Sequence, residues 1–376
     1  MLIVTLIIFL LIFSFVVLVH EGGHFIAAKL IGVRVEEFGW GFPPKLWAKK
    51  IKGTLYSINL LPIGGFVKLY GEEFDAPVKD TDSFWHHRPR HKALVLVGGV
   101  VANLLLGVGL YYLILASHGF VSAPIFLFKD YTFPFGTTSV SSTLIVNVVA
   151  GSPGAVAGLI PGDLITAVNG RPVATAELLN DSVAGKAGQT QVLLVRNITT
   201  GVVRTVNATP YYDETFHKTR FGLELGKVAF ISYLSPLEKT LAGFGQSANV
   251  LIYSVKTLGD LFSLSAQSGS TAPITEQVTG PVGIAGIVGT VIKTSGPQLL
   301  NNLLELMALL SLALGFTNIL PIPAMDGGHL AFVAYEVVFR RKSNKRFQEA
   351  VNRYGFYVLI VLSLLIAFKD FRNLIK

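Results

Sequence analysis

From Leu2 to Val19 the chain carries no charged side chain, and it then runs without a break into His20-Glu21-Gly22-Gly23-His24. An uncharged run of that length nearly spans a bilayer as a helix. Lipid leaves the backbone few alternatives, because every buried N–H and C=O must be bonded inside the protein. A first spanning helix is therefore expected, continuing through the motif to about Leu30. Two histidines four residues apart share one helix face, one turn above the other, and two imidazoles so placed can bind one Zn²⁺. The intervening Glu21 is then positioned to take a proton from a water held by the metal. Gly22 and Gly23 each cost about 1 kcal/mol of helix propensity. Small residues there admit a substrate or another backbone close to the metal, or serve as a packing notch between helices.

Composition agrees with a membrane setting. Of 376 residues, 51% are hydrophobic and only 14% charged, where a soluble globular chain carries about 25% charged. The net charge of +8 does not point to nucleic acid, because the basic residues gather in loops that flank apolar spans. With no cysteine, disulfides, thiol nucleophiles and Cys-type zinc sites are excluded, so a metal must be held by His and carboxylates. The N-terminus is not read as a cleaved secretory signal: it lacks a basic leading segment, its apolar run is too long, and no small-residue cleavage site follows.

Beyond the first helix (1–31), residues 33–92 are mixed and basic, with Arg34, Lys45, Lys49, Lys50, Lys52, Lys68, Lys79, Arg88, Arg90 and Lys92. Within them Gly53 to Tyr70 alternates in strand fashion around Pro62 and Gly64-Gly65, which predicts a β-hairpin. It is either an ordinary cytoplasmic hairpin or one that dips into the membrane with its edge buried by protein or kept for an incoming strand. A second span is expected at 93–116, lined by Gly98, Gly99, Ala102 and Gly107. Its Asn103 is either a clamp between helices or part of a site.

Residues 139–230 read as a small β-rich module, with strands near Thr143–Val149, Gln191–Val195, Val202–Ala208 and Phe221–Leu225 and a helix at Ala174–Val183. Surface amphipathic helices and a small polar connector (Ser265 to Gln277) are expected within 235–298. A third span, Leu300 to Leu320, breaks at Pro321 and Pro323 just before Ala324-Met-Asp-Gly-Gly-His329. A carboxylate at such a break needs a partner, and a zinc ion held by two neutral imidazoles supplies one, so Asp326 is the expected third ligand. The competing reading makes Asp326 the N-cap of a helix from Gly327 to Phe339. His329 is read as structural or as a support to a ligand rather than a ligand itself, and Glu305 as an interfacial or packing residue. A basic loop (Arg340, Arg341, Lys342, Lys345, Arg346, Arg353) precedes a fourth, short span at 354–369. The positive-inside rule puts the two basic loops in the cytoplasm, and the β-rich module and both termini outside.

The segment Ser152-Pro-Gly-Ala-Val-Ala-Gly-Leu followed by Ile160-Pro-Gly-Asp-Leu-Ile-Thr-Ala-Val-Asn-Gly-Arg-Pro-Val173 closely resembles PDZ domains. Such a module captures an extended peptide by strand addition, or acts as a spacer that shades the membrane site. The chain as a whole resembles the site-2 protease family of intramembrane zinc metalloproteases, in its bacterial regulator-of-sigma-E-protease branch. The resemblance rests on VLVHEGGHFIAA (Val17–Ala28), GGFVKLYGEE (Gly64–Glu73), GGVVANLLLG (Gly98–Gly107), the PDZ-like module, and TNILPIPAMDGGHL (Thr317–Leu330). It implies zinc held by His20, His24 and Asp326, and Glu21 as general base. It also implies that Asn318 steadies substrate or oxyanion, with Asn103, Gly64 and Gly65 as further substrate-side candidates. The expected hairpin resembles the family's membrane-reentrant β-loop. Thr279-Gly-Pro-Val-Gly-Ile-Ala285 resembles a family segment with no assigned chemistry.

The departures are a single PDZ module where many relatives have two, Met325 where Leu is usual, and Gly22 in place of a bulkier residue. The expected fold is a multi-pass α-helical membrane protein of about four transmembrane helices. It carries a membrane-associated β-hairpin on the cytoplasmic side and an inserted extracytoplasmic PDZ-like domain. The implied partners are lipid and single-span membrane proteins of the bacterial inner membrane, such as an anti-sigma factor or leftover signal peptides. A PDZ-bound peptide is a further candidate, and nucleic acid is not expected. The competing functions are an inactive PDZ-bearing scaffold, which has no reason to keep Glu21, and a zinc transporter, for which charged pathway residues are too few.

Overall fold

The computed structural model describes residues 1–72, 81–275, 278–341 and 343–375, without the side chains of 345 and 373–375. Glu73, Lys79, Gln277 and Lys342, named above, lie outside the described residues, as does the Lys345 side chain. The chain divides into two compact units: Met1–Tyr112 with Val250–Ile292 and Leu303–Lys376, and Leu113–Asn249 with Lys293–Asn302.

The first unit begins with α1 (Leu2–Ile31), a single helix through the histidine motif that ends on Gly32 in a left-handed conformation. Strands β1 (Val35–Ile51) and β2 (Thr54–Leu69) follow. The two arms of the predicted hairpin are extended, but they do not pair with each other, which corrects the hairpin reading: residues 37–40 of β1 lie between them. Glu37–Trp40 pairs with Lys68–Gly65 on one side and with Leu55–Ile58 on the other, while Lys45–Ile51 pairs back onto Asn59–Thr54. Each strand is thus bent, and four short stretches lie side by side with 64–69 at one edge. The sequence pattern could not show this, because Val35–Phe42 supplies the middle stretch from outside the predicted hairpin.

Helix α2 (Pro89–Ser117) crosses α1 closely: a Cβ on Gly23 would stand 2.2 Å from the Gly98 carbonyl oxygen, so both positions require glycine. On its other side α2 meets α9 (Leu299–Ile319), where the Ser311 hydroxyl donates to the Asn103 carbonyl at 2.8 Å. The proline break after α9 leads to α10 (Asp326–Phe339), whose N-cap is Met325. Asp326 is therefore the first residue inside the helix and not its cap, which corrects the N-cap reading. The Ala324 N–H, freed by the break, donates to Oδ1 of Asn352 on α11 (Lys345–Ile375). α11 runs well past the short apolar stretch expected at 354–369. Among the described residues, four helices are long and apolar enough to cross a membrane, over Leu2–Ile31, Pro89–Ser117, Gly296–Ile319 and Arg346–Arg372.

The expected surface region holds α5 (Pro236–Thr240), α6 (Ala242–Ser268), α7 (Ala272–Thr275) and α8 (Pro281–Thr294). The polar connector is thus partly helical. Gly280 and Gly283 donate their N–H groups to the buried carboxylate of Asp370 at 2.8 and 3.0 Å. That contact gives the Thr279–Ala285 segment a structural role, since any Cβ at Gly283 would stand 2.9 Å from that same oxygen.

The second unit is built on one sheet. Its strands are β3 (Ile125–Leu127), β4 (Thr137–Val148), β5 (Asp163–Val168), β7 (Gln191–Asn197), β8 (Val203–Ala208) and β11 (Leu223–Ser232), in the order β3-β11-β4-β5-β7-β8. The short β6 (Arg171–Pro172) pairs with β5, and β9 (Tyr211–Asp213) with β10 (Lys218–Arg220) as a separate hairpin. Helices α3 (Pro153–Val156) and α4 (Ala176–Val183) complete it. Ile145, Ile165, Leu193, Val195 and Phe221 lie in the core. Beneath the Pro161-Gly162-Asp163 turn, Asp163 is fully buried and paired with Arg204 at 2.5 Å. β3 and the β9–β10 hairpin are too short to have been read from alternation.

Candidate metal centre

α1 presents His20 and His24 on one face, both buried. Nδ1 of His24 lies 2.8 Å from the Val95 carbonyl on α2. A carbonyl only accepts, so Nδ1 carries the proton and Nε2 keeps its lone pair. That Nε2 stands 3.1 Å from Nε2 of His20, and Asp326 Oδ2 is 3.0 Å from His20 Nε2 and 3.3 Å from His24 Nε2. Three electron-rich atoms converging so closely in a buried place call for a cation between them. Zinc bonds of about 2.0–2.1 Å in tetrahedral geometry set their donors about 3.3 Å apart, so the residues present fit that ion. Among the described residues this is the group of His and carboxylate side chains able to hold a metal.

The clearance comes from α2. A Cβ on Gly99 would stand 2.4 Å from Nε2 of His24 and 2.7 Å from Cε1 of His20, so only glycine leaves the rings their place. Glu21, half-buried between the two histidines in sequence, accepts the Val67 N–H of β2 on Oε2 at 3.0 Å. Gly65 lies beside this carboxylate: a Cβ there would be 3.9 Å from Glu21 Cγ, while Gly64 packs on Val17. The Gly64 carbonyl accepts from Ser14 Oγ at 3.1 Å, and Ser14 in turn accepts from Trp40 Nε1 at 2.6 Å. The 64–69 edge is thereby pinned to α1 at two levels.

Asn318, near the end of α9, brings Nδ2 to 3.1 Å from His20 Nε2, at the rim of the cluster. Asn103 is fully buried with Nδ2 3.5 Å from His20 Nδ1, and its backbone carbonyl accepts from Ser311, so it clamps helices and also faces His20. His329 is bonded to Asn352 at 3.3 Å and stands outside the ligand set, as does Glu305. Sequence reasoning missed the parts played by Val67, Val95 and Gly99. The first two act through backbone atoms, which no residue type announces. Gly99 was legible only as a small packing residue, although its spacing of four from Asn103 places both on one helix face.

A His-His-carboxylate cluster buried among helices apolar enough to cross a membrane defines a membrane-embedded metalloenzyme. The sequence matches the profile of Peptidase family M50 over residues 8–362, and the chain belongs to that family, the site-2 proteases. It is similar to a candidate zinc metalloprotease of Clostridium perfringens, at 30% identity covering 96% of each chain. Another candidate zinc metalloprotease, from Mesorhizobium japonicum, is 30% identical over 95% of each. The metalloprotease MmpA of Caulobacter vibrioides is 29% identical over 98% of this chain and 95% of its own. The chain is thus a zinc-dependent membrane metalloprotease.

Proposed function

We propose that this protease hydrolyses peptide bonds within the membrane-spanning segments of single-span proteins of the bacterial inner membrane. The observation that carries the reading is the convergence within 3.0–3.3 Å of His20 and His24, on a helix of membrane-spanning character, with Asp326 at the start of α10. His20, His24 and Asp326 are the ligands. When bound there, zinc acts as a Lewis acid that lowers the pKa of a water and polarises a carbonyl. Glu21 accepts the proton of the attacking water and returns it to the leaving nitrogen, with the Val67 N–H holding its carboxylate in one orientation. The Asn318 amide donates to the developing oxyanion. Buried surroundings exclude bulk water from the ligands and strengthen each of these interactions.

A helical substrate hides its peptide bonds in its own hydrogen bonds, so it must unwind before attack. Strand addition to the 64–69 edge offsets that cost, and Gly64 and Gly65 let the strand approach closely. The β-rich unit supports a PDZ-like role on the extracytoplasmic side. Among the described residues, β3 covers β11 only at Lys227–Ala229, which leaves Leu223–Gly226 without a strand on that side for a peptide to pair with. The two basic loops favour the cytoplasmic face. Suitable substrates are spans already trimmed by another protease, such as an anti-sigma factor, or leftover signal peptides.

The test is cleavage of a single-span substrate in detergent or nanodiscs by zinc-loaded protein. Glu21→Gln should keep the metal and lower the rate by at least about 100-fold, the usual worth of a general base. Wild-type cleavage by a metal-loaded Glu21→Gln protein would reject the role.

A further inference from the structure

Resting on the zinc reading, we infer that Asn103 is the positioning residue that fixes the tautomer and ring orientation of His20. The two ligand histidines are not supported alike. His24 has the Val95 carbonyl, an acceptor, on its Nδ1. Nε2 of His20 is committed to the metal side, where Asp326, His24 and Asn318 lie within 3.0–3.1 Å. A histidine that binds metal through Nε2 carries its proton on Nδ1 and needs an acceptor there. The one polar side chain bonded to Nδ1 of His20 among the described residues is Asn103, at 3.5 Å.

That neighbour is Nδ2 of the amide, while Oδ1 is buried with no hydrogen-bond partner among the described residues. Two N–H donors would then face each other in the metal-bound tautomer, and a buried acceptor would be orphaned. Rotating the amide by half a turn brings the oxygen to Nδ1, where the metal-bound tautomer offers a proton, and leaves the NH2 in the place that Oδ1 held. Oδ1 then accepts from His20 Nδ1–H. The backbone carries this arrangement. Gly99, one turn earlier on the same face of α2, leaves both rings their room, and the Ser311–Asn103 carbonyl bond holds α2 against α9 at that level. Asn103 is completely buried, away from bulk water.

The test is zinc affinity, measured by competition with a chromophoric chelator, together with the visible spectrum of the cobalt(II)-substituted protein. Asn103→Leu removes the acceptor at similar size and should weaken zinc by about 10- to 100-fold and alter the cobalt bands. Asn103→Asp restores an acceptor and should keep the affinity and spectrum within twofold of wild type, or bind more tightly. Zinc bound by Asn103→Leu as tightly as by wild type overturns the inference, and so does a folded Asn103→Asp protein that loses zinc. If the Leu variant does not fold, the Asp variant decides alone. Failure of wild type itself to bind zinc would instead reject the metal site, so the two failures are distinguishable.

Discussion

At the scale of single residues, the centre depends as much on what is missing as on what is present. His20, His24 and Glu21 fit on one helical turn only because the facing surface of α2 offers no side chain at Gly99. Gly99→Ala would drive a methyl group to 2.4 Å from His24 Nε2, and both partners there are packed and rigid. The expected outcome is a folded protein that no longer retains zinc after gel filtration, checked by metal analysis; full zinc content in that variant would contradict the geometry. The same alanine change at Gly22, where a Cβ meets nothing within 4 Å, should be silent by the same measurement.

At the scale of elements, Asp326, the third member of the cluster, sits at the start of α10, and that helix is tied to α2 by a buried ion pair. Lys92 Nζ lies 2.6 Å from Glu336 Oε2, and Lys92 also stacks over the Trp85 ring at 4.6 Å. Removing one partner strands a buried charge, at a cost of about 3–5 kcal/mol. Lys92→Met should therefore lower the thermal unfolding temperature in detergent. The double variant Lys92→Met/Glu336→Met should recover most of that loss, and a double variant no better than the single would show the pair is not coupled. In the other unit, the start of α5 is a reciprocal cap: Glu238 Oε2 accepts the N–H groups of Leu234 and Ser235, each at 2.9 Å.

Those backbone donors favour the ionised carboxylate and hold its pKa below the usual value of 4.5. A depressed pKa means the folded cap binds its proton less tightly than the unfolded chain does. Its stabilisation is thus fully present above pH 4.5 and is lost as pH falls through the lowered folded value. Amide exchange at Leu234 and Ser235, corrected for its intrinsic pH dependence, should lose protection below that range and stay unprotected throughout in Glu238→Ala.

The elements differ in how legible they were. The spanning helices announced themselves by long apolar runs, and β4, β7 and β8 by alternation between turns, whereas β5 was not read as a strand. The bent pairing of β1 and β2 did not, because Glu37–Trp40 enters from beyond the alternating stretch and pairing partners are not written in a local pattern. The length of α11 was also hidden, since its polar ends carry helix propensity without hydropathy. The Asp370 cap on α8 joins residues 90 positions apart, beyond the reach of any local signal.

For the whole molecule, the account turns on two stretches separated by about 300 residues coming together. His20 and His24 were readable from their spacing, and Asp326 from the proline break before it, because a carboxylate at that depth needs a cation. What the fold adds is the distance between them, 3.0 and 3.3 Å, and the surroundings that bury both histidines and half-bury the aspartate. The most direct measurement is the zinc content of the detergent-purified protein beside that of Asp326→Ala, both confirmed as folded. The account predicts about one zinc per chain in the first, as a three-ligand site requires, and little or none in the second. Equal zinc in the two proteins would contradict it.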